Sequence, residues 1–433
     1  MSDALAPKQA VLSAASASVA PQAGFRWIPI LLCAATMFTE GYDAQFLGSV
    51  IPGPTGLASE YGVAPGAMWP ALSSGLAGLM IGALLIAPLA DSIGRRRVIL
   101  FSVFVFSVLT VASIWAESLT AMAVFRLLTG LGLGGAMANT TAMTADFSPP
   151  EKRATAVAIM FCMFSLGAAF GSFVSSWLLT DYGWRTVFLF CGVMGLALLP
   201  LLFLALPESI PVKEGARLSI PAGKLFAEGR TRVTLLFWII FFANLMELYL
   251  ITSWLPLTIS AQLSPLCAGT EGDACRQQLL SSANFASTLL QVGGIAGAFM
   301  LAPLVDRFGS RLVLPGAFLS AAVLMALLSS AGTAVTLIYA MAFALGIGTV
   351  GAQNCNNGNV AKFYPTEIRA TGVGWALAVG RNGSILGPAV GGLIIASGLP
   401  MQSIFLVATV PPLVAAAAYL AMGNPPELKG RGG

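Results

Sequence analysis

The chain of 433 residues contains no histidine and few charged residues of any kind. Charged residues make up 9% of the sequence, against about 25% in soluble domains, and hydrophobic residues make up 57%. A protein with so few charges cannot cover its surface in water, so lipid must cover much of it. This composition indicates a polytopic membrane protein and excludes soluble enzymes, nucleic-acid-binding proteins and secreted disulfide scaffolds.

The absence of histidine also restricts the chemistry that the chain can perform. Neither a Ser-His nor a Cys-His catalytic pair can form, histidine cannot ligate a metal, and no Cys-x-x-Cys motif occurs. A Walker-type phosphate-binding loop is also absent, which argues against an ATP-driven pump. Any proton handled near neutral pH must sit on a carboxylate. We therefore expect no enzymatic activity, no metal and no cofactor.

Twelve apolar runs are long enough to cross the ~30 Å hydrocarbon core of a bilayer as helices of about 20 residues. The first six lie near 27–51, 66–88, 98–115, 120–143, 154–180 and 186–206, and the second six near 232–258, 282–303, 312–330, 335–361, 370–397 and 402–422. The sequence predicts an all-α membrane protein with one six-helix bundle at 27–206, a polar linker at 207–231 and a second bundle at 232–422. Residues 1–26 are expected to form a disordered tail, and residues 423–433 a second short tail.

The positions of the basic residues predict the orientation. All but four of the 22 lysines and arginines lie in the termini, in the linker or in loops of the same parity as the linker. Arg185 and Arg276 lie in loops of the opposite parity, and Arg126 and Arg381 lie within predicted spans. Because basic loops remain in the cytoplasm, both termini and the linker should be cytoplasmic. We expect a multi-pass protein of the cytoplasmic (inner) membrane.

Two of the six cysteines, Cys267 and Cys275, share the long loop CAGTEGDAC. The predicted orientation places this loop outside the cytoplasm, where disulfides persist. A bridge between the two cysteines is one interpretation, and two free thiols in a mobile loop are the other. The remaining four cysteines lie in predicted helices, where thiols behave as small hydrophobic groups.

The second half of the chain repeats the first. Residues 80–100, MIGALLIAPLADSIGRRRVIL, match residues 295–315, IAGAFMLAPLVDRFGSRLVLP, at nine of 21 positions. Residues 145–157 match residues 361–373 at a nearly identical offset. In proteins built this way, two like halves face each other across a pseudo-twofold axis along the membrane normal, and substrate binds between them near the midplane. The repeat therefore favours a transporter.

The repeated loop carries a family resemblance. APLADSIGRRR at 87–97 resembles the signature loop between the second and third helices of the major facilitator superfamily, and APLVDRFGSR is its second copy. EGYDAQFLG at 40–48, RLLTGLGLGGAMAN at 126–139 and YPTEIRATGVGWALAVGRNGSILGP at 364–388 resemble the aromatic acid:proton symporters, carriers of the 4-hydroxybenzoate, protocatechuate and hydroxyphenylpropionate type. Glu40 stands where that family has an Asp. The resemblance implies the twelve-helix fold and proton-coupled uptake of aromatic acids.

Three carboxylates within spans are candidates for proton coupling. Glu40 and Asp43 lie three residues apart on one face of the first predicted helix. A charge at the bilayer centre costs about 2.5–3.5 kcal/mol, so such residues normally face a cavity and serve a function. Glu247, at the equivalent place in the second half, is the third candidate. The structural alternatives are that Glu40 extends to the membrane surface or pairs with a neighbouring helix, and that Glu247 forms an interfacial ion pair.

Arg126 and Arg381 are candidates for binding the substrate carboxylate, because the planar guanidinium suits a carboxylate and a buried arginine needs an anionic partner. Arg381 is favoured for the substrate, whereas Arg126 could equally pair with Glu40 or Asp43. Amide and aromatic groups complete the candidate set, with interhelical hydrogen bonding as the alternative for the amides. These further substrate-binding candidates are Tyr42, Gln45, Gln353, Asn354, Asn357 and Asn382.

Charged residues in and near the two copies of the repeated loop are candidates for a gate. A carboxylate beside a helix N-terminus and a basic cluster can hold the two halves in one conformation. The alternative is a simple topological signal that keeps these loops in the cytoplasm. The gating candidates are Asp91, Gly94, Arg95, Arg96 and Asp306, together with the pairs Glu151 with Arg153 and Glu367 with Arg369.

Together these features predict a secondary transporter that imports an aromatic carboxylic acid with protons by alternating access. Its expected partners are the acid, protons and the lipid bilayer, without nucleic acid, and we expect it to act as a monomer. A proton-coupled exporter and a carrier of sugars or other organic anions are the alternatives within the superfamily. A membrane-embedded enzyme or a sensor is disfavoured, because catalytic pairs are absent and neither tail is long enough for a soluble domain.

Overall fold

The computed structural model describes residues 26–149, 152–209, 222–227, 229–268, 273–364 and 368–422. Within these residues the regular secondary structure is helical throughout. Twelve long helices follow one another along the chain: α1 Trp27–Val50, α2 Trp69–Leu85, α3 Arg95–Ala112, α4 Leu119–Asp146, α5 Arg153–Tyr182, α6 Trp184–Ala205, α7 Thr231–Leu263, α8 Asp273–Phe308, α9 Ser310–Ser329, α10 Val335–Val360, α11 Arg369–Ala396 and α12 Ser403–Met422. The predicted all-α, twelve-helix architecture is confirmed.

Ten of these helices in the described part of the chain are long and apolar enough to cross a bilayer. The other two are α1, which carries Glu40 and Asp43, and α11, which carries Arg381. The helices agree with the predicted spans to within about three residues, except that α7 ends at Leu263 rather than near 258 and α8 spans Asp273–Phe308 rather than 282–303. The first turns of α8 are polar, and the sequence prediction counted only the apolar run that follows them.

Each half repeats the same packing. In the first half α1 packs on α5, α2 on α4 and α3 on α6, and in the second half α7 packs on α11, α8 on α10 and α9 on α12. Glycines allow close approach at equivalent places. A side chain on Gly130 of α4 would overlap the backbone of Gly75 in α2, and one on Gly346 of α10 would overlap the backbone of Leu290 in α8. The two halves are thus like six-helix bundles, as the sequence repeat predicts.

The halves meet chiefly along three helix pairs, α1 with α7, α2 with α11 and α5 with α8. Ser73 of α2 donates to the carbonyl oxygen of Ile385 in α11 at 2.8 Å. Thr288 of α8 donates to the carbonyl oxygen of Ala169 in α5 at 3.3 Å. We call the end of the molecule where α6 ends and α7 begins the linker end, and the opposite end the far end.

The apolar core is shared between the halves at the far end and divided at the linker end. One cluster of buried residues at the far end contains side chains of both halves, among them Phe188, Trp254 and Phe405. Toward the linker end each half has its own cluster, around Ile99 in the first half and Phe237 in the second. Burial of apolar surface therefore holds the halves together at the far end.

The far end also carries the loop between α7 and α8. Cys267 and Cys275 form a disulfide there, with their Cα atoms 5.9 Å apart. Of the two interpretations that the sequence leaves open, the structure has the bridged loop. Most of the predicted linker at 207–231 and of the predicted tails at 1–26 and 423–433 lies outside the described residues, so these domain limits stay predictions.

Candidate functional site

Asp43 lies at the centre of a buried network that four helices build. The residue is fully buried on α1. Arg126 of α4 donates through Nη2 to Asp43 Oδ1 at 2.7 Å and to the Asp43 carbonyl oxygen at 3.0 Å. Thr110 of α3 donates its hydroxyl to Asp43 Oδ2, and the thiol of Cys191 in α6 lies 3.6 Å from the same oxygen. The charge of Asp43 is therefore balanced within the first half.

Arg126 belongs to this ion pair, which is one of the roles that the sequence leaves open for it. It is 3% exposed, and its Nε and Nη1 have no hydrogen-bond partner among the described residues. The guanidinium also lies 5.6 Å from the centre of the Phe46 ring. A cavity of about 20 Å³ adjoins it, bounded by Gly75 and Leu76. That volume accommodates about one water molecule, which the two unpaired donors can bind.

Glu40 lies three residues before Asp43 on α1 and is also fully buried. Neither of its carboxylate oxygens has a hydrogen-bond partner among the described residues. The charged groups that act on it electrostatically are Arg381 and Asp43. Because Glu40 is fully buried, it does not extend to the membrane surface. It is an unpaired carboxylate inside the protein, next to a carboxylate that is fully paired.

Arg381 reaches the same region from the second half. It is half-buried on α11, and its Nη2 lies 3.1 Å from the sulfur of Met137 in α4. No carboxylate of the described residues forms an ion pair with it. A thioether is a weak acceptor, so the guanidinium keeps most of its capacity to bind an anion. Glu40 and Arg381 therefore approach one another across the interface between the halves.

Glu247 is the corresponding carboxylate of the second half. It is fully buried on α7, and neither of its oxygens has a hydrogen-bond partner among the described residues. Asn244, three residues before it and also fully buried, is the polar side chain that acts on this carboxylate, although no hydrogen bond within 3.5 Å joins the two. The interfacial ion pair that was the alternative for Glu247 does not occur in the described structure. Glu247 lies on α7, which packs on α11 of its own half and on α1 of the first half. This helix therefore borders the interface between the halves.

The amides of α10 divide into two groups. Gln353 donates from Nε2 to Asn357 Oδ1 at 2.9 Å along the helix. Asn354 lies between them, half-buried, with its Nδ2 unpaired. Asn356 instead accepts a hydrogen bond from the hydroxyl of Tyr419 in α12 and so joins two helices of the second half. The first group retains unpaired polar atoms, Gln353 Oε1 and Asn354 Nδ2, that a ligand can satisfy.

The other substrate-binding candidates lie in three different surroundings, and their roles stay predictions. Tyr42 packs its ring against Phe170 of α5 and Phe190 of α6, inside the first half rather than between the halves. Asn382 is exposed, and its amide donates to carbonyl oxygens of its own helix. Gln45 is buried on α1. The amide of Asn382 is therefore occupied by backbone acceptors of α11 rather than by another helix.

Comparison with known proteins identifies the family. A family model described as the Major Facilitator Superfamily matches residues 15–271 and 277–433. The chain belongs to the Major Facilitator Superfamily. The gallate transporter of Pseudomonas putida is 33% identical to it over an alignment of 436 residues, gaps included. This alignment covers 93% of each chain. The 4-hydroxybenzoate transporter PcaK of Acinetobacter baylyi is 30% identical over 435 residues, covering 92% of this chain and 91% of that relative.

A solved structure supports the same fold. The nucleoside transporter NupG aligns with this superfamily member at a TM-score of 0.72 and 16% sequence identity. The alignment covers 91% of this chain and 99% of NupG. The chain is therefore a multi-pass membrane transporter with the two-bundle fold of the superfamily.

The signature loop of this superfamily member forms a network at the linker end. Gly94 precedes α3 with a φ of 94°, and a side chain there would meet the carboxylate of Glu208. Glu208, just after α6, accepts hydrogen bonds from the backbone N–H groups of Arg95 at 2.9 Å and Arg96 at 3.2 Å. Arg95 also forms an ion pair with Asp146 at the end of α4. Sequence reasoning missed Glu208, because a single acid in a linker of mixed charge carries no distinguishing signal.

The second copy of the loop has a simpler ion pair. Asp306 of α8 binds Lys362, which follows α10, at 2.9 Å, and both side chains are exposed. This pair links α8 to α10, much as the ion pair of Arg95 links α3 to α4. The roles of the remaining gating candidates stay predictions. Glu151, Glu367 and the side chains of Asp91 and Arg369 lie outside the described structure, and Arg153 is exposed at the start of α5.

Proposed function

We propose that this transporter imports an aromatic carboxylic acid together with protons, by alternating access of the site between its halves. The names of the relatives support the substrate class, since gallate and 4-hydroxybenzoate are both aromatic carboxylates with ring hydroxyls. The observation that carries the proposal is Arg381, a guanidinium at the interface that forms no ion pair with any carboxylate of the described residues. A guanidinium cannot lose its charge, so it calls for an anion, and the substrate supplies one.

The proposed binding mode places the substrate carboxylate against Arg381. Two parallel N–H···O bonds to the guanidinium would replace the weak contact with Met137. The unpaired amide atoms of Gln353 and Asn354 are the proposed partners for ring hydroxyls. A site built to bind a substrate hydroxyl rejects analogues that lack it, because its polar atoms are then left unpaired. Substrate choice among aromatic acids would follow from these amides.

Glu40 and Asp43 are proposed to carry the proton coupling, with Glu247 as a further proton site. Asp43 has Arg126 as its counter-ion and Thr110 as a donor, whereas Glu40 has neither. Burying an uncompensated charge is costly, so a proton on Glu40 would remove that cost while the site is closed. Opening to water at the linker end would then release the proton. Binding of the acid at Arg381 would thus be coupled to binding of the proton at Glu40.

We further propose that the linker end faces the cytoplasm across the inner membrane and that the protein acts as a monomer. The concentration of basic residues in the loops at the linker end supports this orientation. The far end would then face the outside. Because the apolar core is shared between the halves at the far end, this conformation would be closed toward the outside.

Uptake into proteoliposomes tests the proposed function. Under an inward proton gradient, the reconstituted protein should accumulate radiolabelled gallate or 4-hydroxybenzoate above the external concentration, and a protonophore should abolish the accumulation.

Arg381→Lys should raise the KM for the acid about tenfold or more, since an ammonium cannot form two parallel bonds. Arg307→Lys, at an exposed arginine of α8, is the matched control and should leave uptake unchanged. No flux of any aromatic acid under the gradient would contradict the proposal.

A further inference from the structure

A cleft at the far end lies apart from the charged site between the halves. Its volume is about 540 Å³. The connection between α1 and α2 forms one wall with Pro52 and Pro54, and α7 and α8 form the other with Leu257 and Leu280. This volume falls within the ~300–1,000 Å³ typical of small-molecule sites. The cleft therefore has room for a small organic ligand.

Arg276 gives this cleft a positive charge. It lines the cleft from the first turns of α8, is exposed, and has no hydrogen bond or ion pair to any described residue. The sequence places one other basic residue at the far end, Arg185, and both of its terminal nitrogens donate to the carboxylate of Glu60. Arg276 is therefore the basic group at this end that remains available to an anion in the described structure.

The remaining walls suit an aromatic ring. Leu257, Leu279 and Leu280 present apolar surface, and Ser260 and Ser264 add hydroxyl groups. A mostly apolar pocket with one cation and a few hydroxyls is complementary to a small aromatic carboxylate. The disulfide between the neighbouring Cys275 and Cys267 of the preceding loop holds the start of α8 beside the end of α7. Arg276, the residue after Cys275, therefore lies on a wall of the cleft that the disulfide holds in place.

A close contact between α1 and α7 separates the cleft from the charged site. Gly48 of α1 approaches Ser253 of α7 so closely that a side chain on Gly48 would collide with the Ser253 backbone. The adjacent side chains Leu47 of α1 and Trp254 of α7 belong to the shared apolar core. A ligand in the cleft therefore does not reach Arg381 in this conformation. The cleft and the charged site are separate places for an anion.

We propose that this cleft is an outer binding site that takes up the aromatic carboxylate before the halves open, with Arg276 as the ligand of the carboxylate. The inference rests on the proposed function for the identity of the acid and for the outward direction of the far end. Binding there would raise the local concentration of substrate over the closed far end. A single exposed cation supports weak, charge-dependent binding rather than a tight complex.

Protection of an introduced cysteine tests the site directly. In a Ser260→Cys variant of the full chain, a membrane-impermeant maleimide should label the cleft from outside. Gallate or 4-hydroxybenzoate should slow the labelling, whereas the corresponding amides should not. Adding Arg276→Gln should raise the acid concentration for half-protection about three- to five-fold, the scale of one exposed charge contact. Arg276→Lys keeps the charge and should stay within about twofold of the parent.

A second arm separates this site from the central one. Arg381→Gln in the Ser260→Cys background should eliminate uptake but leave the protection by acid intact. Protection that persists unchanged in Arg276→Gln, or that disappears in Arg381→Gln, would overturn the outer site, because the acid would then act from elsewhere. Uptake by the unmodified protein remains the test of the proposed function. A protein that imports the acid normally but shows no protection refutes only the outer site.

Discussion

At the scale of single residues, two equally buried carboxylates on α1 have opposite surroundings. Asp43 accepts from Arg126 and Thr110, whereas Glu40 has no hydrogen-bond partner among the described residues. Three residues turn an α-helix by about 300°, so the two side chains leave the helix about 60° apart. That rotation directs Asp43 toward α3, α4 and α6 and leaves Glu40 in electrostatic reach of Arg381 on α11. The same spacing thus produces one paired and one unpaired acid.

Neutral substitutions of the two acids should have different effects on stability. Asp43→Asn removes the counter-ion of a buried arginine, which costs about 3–5 kcal/mol when a buried pair is broken. Glu40→Gln removes no hydrogen bond and should change stability little. Thermal unfolding in detergent should therefore show a much lower Tm for Asp43→Asn. Both variants should lose proton-driven accumulation yet retain exchange of labelled for unlabelled substrate.

Two further variants control this comparison. The double variant Asp43→Asn with Arg126→Gln removes both charges and should recover part of the lost Tm. Glu40→Asp retains a carboxylate and should retain coupling. Equal Tm values for Asp43→Asn and Glu40→Gln would show that the ion pair does not stabilise the protein. Uphill accumulation by both variants would place the proton elsewhere, with Glu247 as the next candidate.

At the scale of helices, the start of α3 depends on a residue that follows α6. The first N–H groups of a helix lack partners within it and carry a partial positive charge. Glu208 accepts from two of these groups, those of Arg95 and Arg96. The contact joins the signature loop to a residue just after α6, so a movement of the end of α6 acts directly on the start of α3. Glu208 is therefore placed to affect the rate of conformational change.

Removal of this cap should slow transport. Glu208→Ala should cost about 0.5–2 kcal/mol of stability, the usual value of an N-cap. Turnover in proteoliposomes should fall, while the KM for the acid should stay within about twofold, because Glu208 contacts the start of α3 and not Arg381. Glu208→Gln keeps one acceptor oxygen and should fall between the wild type and Glu208→Ala. Unchanged turnover in Glu208→Ala would remove the cap from the gating network.

At the far end, the short helix Leu57–Glu60 is held to the start of α6. Glu60 accepts from Trp184 Nε1 at 2.6 Å and from both terminal nitrogens of Arg185. The hydrogen bonds from Arg185 hold the pKa of Glu60 below its ordinary value of 4.5. Because the folded pKa is lowered, the stabilisation is complete above about pH 4.5 and is lost as the pH falls through the lower folded pKa.

Acid titration of stability should reveal this contact. The Tm difference between the wild type and Glu60→Gln should be constant near neutral pH and should shrink as the pH falls toward 3. The effect should stay below about 1 kcal/mol, since both partners are more than a third exposed and solvent screens them. Glu117→Gln, at another acid of the far end, serves as a comparison. A Tm difference that does not vary with pH would contradict the role of Glu60.

At the scale of the whole molecule, the halves are joined unequally along their length. The shared core at the far end must come apart before that end can open, whereas the linker end has a separate core in each half. Exposure of apolar surface costs about 25 cal/mol for each Å². A ligand shifts such an equilibrium only by its difference in affinity for the two conformations. Substrate and proton binding would have to supply that difference for the far end to open.

The orientation is testable with single cysteines at opposite ends. Gly223→Cys lies at an open position near the linker end, and Ser59→Cys lies exposed at the far end. In intact cells, an impermeant thiol reagent should label Ser59→Cys, and Gly223→Cys only after the membrane is permeabilised. The native disulfide and the buried Cys33 and Cys191 should contribute little background. Reversed labelling would overturn the proposed direction of transport and the outer site together.

The sequence alone determined the membrane class, the twelve spans and the duplication. Each of these depends on the composition of a local segment or on a match between two segments, and lipid imposes its requirement on every span separately. The residues that carry a charge into a span, such as Glu40, Asp43 and Arg381, were visible for the same reason. The polar first turns of α8 were missed, because they extend the helix beyond its apolar run.

The tertiary structure alone decided which side chains meet. Asp43 is bound by Thr110 and Cys191, and Glu208 caps a helix 113 positions before it in the chain. The tertiary structure likewise leaves Asn382 exposed and bonded to its own helix, whereas the adjacent Arg381 is half-buried and contacts α4. Composition and spacing indicate whether a residue is buried in a span. Which side chain it contacts depends on the rotation and packing of helices that are distant in sequence.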